Sequence, residues 1–103
     1  MGFVYLIESI DAGTCKIGIT KNDPNKRLKQ LSTGNDSPLI LVSTFKTDNY
    51  RKLESWLHRK YSDKRLNGEW FMLSEEDINS FTATCHSINE TITILLKEND
   101  FFN

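Results

Sequence analysis

Two β-rich runs, "FVYLIE" at 3–8 and "CKIGIT" at 15–20, stand six residues apart across the turn formers of "SIDAGT". That spacing predicts an antiparallel hairpin, and the hairpin constrains the rest of the chain more than any other feature. If paired residue numbers sum to about 23, Tyr5 faces Gly18 and Ile7 faces Lys16, and all four positions share one face of the ribbon. A lysine and a glycine then interrupt a face that isoleucine would pack better. The expectation is that Gly18 leaves a gap beside the Tyr5 hydroxyl for a substrate or a backbone to approach, while Lys16 adds positive charge diagonally across the ribbon.

Downstream, Asp23 caps and Pro24 opens a helix over 24–32 whose Leu28 and Leu31 share a face, with Gly34 as its stop. "PLILVSTFK" at 38–46 reads as a third strand, and its continuous apolar start predicts a place in the sheet interior. Thr47 or Asp48 caps a second helix in which Tyr50, Leu53, Trp56, Leu57 and Tyr61 form a core stripe, with Glu54 and His58 four apart along its margin. "GEWFML" at 68–73 is either a short strand or an extended plug, and Glu69, Trp70 and Phe71 read as packing. Ser74 starts a long amphipathic helix through Ile78, Phe81, Cys85, Ile88, Ile92 and Leu95, expected to break near residue 86 where β-branched residues crowd.

The 103 residues suffice for one domain with a single small core, about 3–73, and a helical extension over about 74–99. Eleven aromatics argue against disorder. The fold class is α+β: a mainly three-stranded antiparallel sheet flanked by helices. No run approaches the roughly 20 apolar residues of a membrane helix, and "MGFVYLIES" lacks a basic leader, so no membrane partner and a cytoplasmic location are expected. Cys15 and Cys85 lack zinc-site or redox spacing and read as small buried hydrophobes. Charge is uneven: residues 1–67 carry 12 Lys/Arg against 7 Asp/Glu, and residues 68–103 carry 1 against 7. A basic front half suits phosphate, and an acidic tail limits indiscriminate contact with nucleic acid.

"VYLI", "KIGIT", Arg27 in "NKRLKQL" and Glu54 in "LESWLH" together resemble the ordered signature of the GIY-YIG nuclease superfamily. The likeness covers roughly residues 3–73 and is nearest to a compact phage and bacterial branch with KIG for YIG and a "GEWF" segment. It implies a DNA endonuclease using one divalent metal, Mg2+ or Mn2+. By that likeness Tyr5 is the general base, Gly18 the second-motif glycine, Arg27 the phosphate clamp and Glu54 the metal ligand.

The chemistry suits these residue types. A hard cation needs few carboxylates when water and phosphate complete its shell, and an arginine can grip a phosphate through two parallel hydrogen bonds. A phenol is a weak base at neutral pH, so Lys16 is expected to assist Tyr5. His58 is a further base or supporting partner, and Lys26, Lys29, Arg51 and Arg59 are phosphate contacts. The sequence departs from the pattern at Lys16, which replaces a tyrosine, and at Leu31, where some members carry histidine; Asn67 or Glu69 would stand for the usual downstream asparagine. Two other readings are a nucleic-acid-binding module without cleavage, and an interaction protein that forms a homodimer or binds a host factor through its C-terminal helix.

Overall fold

β1 (Gly2–Ser9) and β2 (Thr14–Thr20) pair in the expected register, Tyr5 opposite Gly18 and Ile7 opposite Lys16. The computed structural model describes residues 1–34 and 36–102, with side chains through residue 98. α1 (Pro24–Ser32) follows, its Asp23 side chain accepting from Asn25 N at 2.9 Å. Next come β3 (Leu39–Thr47), α2 (Tyr50–Lys60), a 3-10 turn at Ser62–Lys64, β4 (Arg65–Asn67), β5 (Trp70–Phe71), α3 (Glu75–Asn79) and α4 (Phe81–Phe102). No helix among the described residues is long and apolar enough to cross a membrane.

The sheet has five antiparallel strands in the order β3-β1-β2-β5-β4, rather than mainly three. The two additional strands are a short hairpin built on "RLNGEWF", turning at Gly68, whose φ of +52° favours glycine. Its β5 pairs Trp70 with Lys16 and Phe71 with Cys15.

β3 lies at the sheet edge, not in its interior. The reason is a bulge: Leu6 pairs with Ser43 and Ile7 with Leu41, so Val42 is an extra residue. The slip reverses which side chains face which layer. Phe45 and Ser43 take the Leu6 side, whereas Leu41 and Leu39 take the Ile7 side; Ile40 and Val42, which make the run look continuously apolar, are exposed.

Those layers are distinct. Val4, Leu6, Cys15 and Ile17 form one core with Leu53 and Leu57 of α2 and Phe81, Cys85 and Ile92 of α4. Tyr5 and Ile7 point the other way, where α1 lies against β1 and β3. Burial pushes the thiols of Cys15 and Cys85 up to about 11 and about 12, in keeping with inert core cysteines.

α2 begins at Tyr50 with Asn49 as its cap residue, and Thr47 Oγ1 accepts from Asn49 N at 3.0 Å. Thr47 also donates to Asn89 Oδ1 at 2.7 Å, and Asn49 Nδ2 donates to Asn89 Oδ1 and Thr93 Oγ1, which ties α2 to α4. The helical break falls at Ser80 rather than near residue 86. Ser80 Oγ donates back to Glu76 O, while Thr91 and Thr93 donate to Ser87 O and Asn89 O inside α4. Burial of Phe81, Cys85 and Ile92 outweighs the weak helix propensity of this stretch.

Gly18 does not open a gap for a substrate. The Tyr5 ring occupies that space: a Cβ at position 18 would meet the Tyr5 hydroxyl at 2.3 Å. Gly18→Ala is therefore expected to destabilise the fold by about 1–3 kcal/mol through overpacking. A urea midpoint equal to that of the parent would show that the hydroxyl is not seated there.

Candidate metal centre

The site begins with the rotation of α2. Leu53 and Leu57 are fully buried, and each contributes about 1.5–3 kcal/mol by leaving water. Their anchoring turns Glu54 and His58, one helical turn apart, toward the outer edge of β2. His58 Nε2 lies 2.9 Å from the Ile17 carbonyl, and its ring meets Phe71 edge-on at 5.0 Å between centroids. A carbonyl only accepts, so Nε2 carries the proton in this contact, which leaves Nδ1 as the ring's other nitrogen.

The β4–β5 hairpin delivers the third group. Ile17 N donates to Glu69 O at 3.0 Å, which fixes the Glu69 backbone against β2. Arg65 Nε donates to Gly68 O at 2.7 Å and holds the turn. The Glu69 carboxylate pairs with Lys16 Nζ at 2.9 Å, and that ammonium also lies 5.7 Å from the Trp70 ring centre.

Ligand atoms of Glu54, His58 and Glu69 all lie within 4.8 Å of one another. Glu54 Oε2 is buried with no hydrogen-bond partner. Burial first, then the charge of Glu69 and a hydrogen bond shared with it, pushes the Glu54 carboxyl up to about 7, while Lys16 and Arg51 pull it back. Two neighbouring carboxyls, one with an orphaned buried oxygen, form a donor set that fits a small divalent cation. Ligands on opposite sides of Mg2+ stand about 4 Å apart, so modest inward movement closes the shell.

The sequence-predicted residues divide between two places. Glu54, His58 and Lys16 come together, with Arg51 close enough to act on the Glu54 charge. Tyr5 and Gly18 touch each other, but Tyr5 is only 1% exposed and lies on the opposite face of the sheet from α2. Strand alternation turns Tyr5 away from Val4 and Leu6, the side α2 covers, and Lys16 shares the Tyr5 side of the β1–β2 ribbon. Lys16 is committed to Glu69.

Arg27 is half-buried on α1 and donates to Gln30 Oε1 at 3.2 Å; among the described residues no hydrogen bond or ion pair joins it to the acidic cluster. Lys26 and Lys29 are exposed on the same helix, and Asn67 is exposed on β4. Glu69, which reads from the sequence as packing or as a stand-in for the downstream asparagine, is the third group of the cluster. Its signal was the isolated acid between the Gly68 turn and two core aromatics.

The sequence profile of the T5orf172 domain matches residues 2–86. The chain belongs to the T5orf172 domain family. The match spans every strand, α1 to α3 and the start of α4, and so includes all three groups of the cluster. Comparison with curated proteins and with solved structures gave no match. In this T5orf172 domain the acidic cluster, rather than the Tyr5–Gly18 contact, is where polar groups converge.

Proposed function

We propose that this T5orf172 domain is a divalent-metal-dependent endonuclease that hydrolyses DNA phosphodiester bonds. The observation that carries the reading is the convergence of Glu54, Glu69 and His58 around an orphaned carboxylate oxygen. Glu54 and Glu69 are the carboxylate ligands for Mg2+ or Mn2+, which when bound supplies Lewis acidity toward a phosphate oxygen and acidifies bound water. The likeness of "VYLI", "KIGIT", Arg27 and Glu54 to GIY-YIG nucleases supports the same reaction class.

Residue roles follow from accessibility. His58 lies beside the two carboxylates, and with its Nε2 held by the Ile17 carbonyl its Nδ1 is the proton acceptor for the attacking water in this reading. Tyr5 would have to leave the contact with Gly18 to act as the base. Arg27, on the helix that follows β2, is the phosphate clamp in this reading, with Lys26 and Lys29 as flanking phosphate contacts.

One observation favours the alternative of a binding module without cleavage: Lys16 already neutralises Glu69, as a tethered cation would in a site that holds no metal. The two readings separate in a plasmid assay. The protein is expected to nick supercoiled DNA in Mg2+ or Mn2+ and to stop in EDTA. Metal-independent DNA binding without nicking would instead favour the binding module.

A further inference from the structure

On the side of α2 away from the acidic cluster, a groove of about 490 Å³ runs between α2 and α4, lined by Trp56, Arg59, Lys60 and Ile88. Trp56 is half-buried, and the Arg59 guanidinium lies over its indole at 5.5 Å. At 3.6 residues per turn, the exposed surface of α2 passes from His58 through Arg51, Ser55, Arg59 and Lys52 to Trp56. That path carries three exposed cations and no carboxylate. It spans the width of one helix, about 10 Å.

We infer that this groove is a binding site for a single nucleic-acid strand, with an unstacked base against Trp56 and its phosphates on Lys52, Arg59 and Lys60. The inference rests on the nuclease reading and deepens it, since the strand crosses α2 toward Glu54, His58 and Glu69. Charge complementarity selects the occupant: the lining offers an aromatic face flanked by cations, the pairing that sequence-tolerant strand binding uses.

The test is fluorescence anisotropy of labelled oligothymidylate with the full chain in EDTA, where cleavage does not contribute. Trp56→Ala is expected to weaken binding at least about fivefold, and Trp56→Phe to restore most of it, since stacking needs only an aromatic face. Lys52→Gln and Arg59→Gln should each lower the salt slope by about 0.7. Oligothymidylate should bind at least as tightly as oligouridylate; binding of RNA alone overturns the proposal.

Unchanged affinity in Trp56→Ala, no binding by the parent, or a dimer that Trp56→Ala dissolves would each overturn it too, the last by assigning the groove to a second copy. Plasmid nicking by the parent with Trp56-independent binding defeats this site alone. Trp56-dependent binding without any nicking defeats the nuclease reading while the strand site stands.

Discussion

Glu54→Gln is expected to lose plasmid nicking on the order of 100-fold or more while unfolding at a higher urea midpoint than the parent at pH 8. The two effects share one cause. The Glu54 carboxyl is held up to about 7 by burial and by Glu69, so at pH 8 the parent carries a buried charge with an unpartnered oxygen. A carboxyl whose folded pKa is raised favours the fold while protonated; that contribution is full below the unfolded value near 4.5 and is lost as pH rises through about 7. The substituted amide is neutral throughout, so its advantage should be about 1 kcal/mol at pH 8, after discounting for solvent screening, and should vanish near pH 5. Mg2+ should stabilise the parent at pH 8 and leave the variant unmoved. A variant that is less stable than the parent at pH 8 would mark Glu54 as a structural residue.

His58→Ala should lower cleavage by about 10²–10⁴-fold, the range for losing a general base, whereas Tyr5→Phe should stay within a few-fold of the parent. The contrast follows from position. His58 stands beside the carboxylates with its Nε2 tied to Ile17, and Tyr5 is sealed under Gly18 on the other face of the sheet. Rates measured at neutral and alkaline pH, with circular dichroism to confirm folding, decide the matter. Steep loss in Tyr5→Phe with an active His58→Ala would return the base to Tyr5 and would require β2 and its neighbours to rearrange on binding DNA.

Much of this architecture is legible in the sequence wherever a short local rule sets geometry. The turn length fixes the β1–β2 register to the residue, and Asp23 with Pro24 fixes the start of α1. The four-residue spacing of Glu54 and His58 likewise puts both on one helix margin. What escapes is set by long-range pairing. An edge strand looks like an interior one because Ile40 and Val42 are apolar yet exposed, with a bulge at Val42. Packing against the sheet carries α4 through residues whose own propensity argues for a break. Glu69 joins the centre only because a two-residue strand pairs with β2, and Lys16 serves Glu69 rather than Tyr5 for the same reason.

The most direct test of the metal centre is the anomalous difference map of a crystal soaked in Mn2+. The account predicts a peak about 2.2 Å from carboxylate oxygens of both Glu54 and Glu69, with the Lys16 ammonium moved off Glu69. An intact Lys16–Glu69 pair with no peak between the two carboxylates would contradict it.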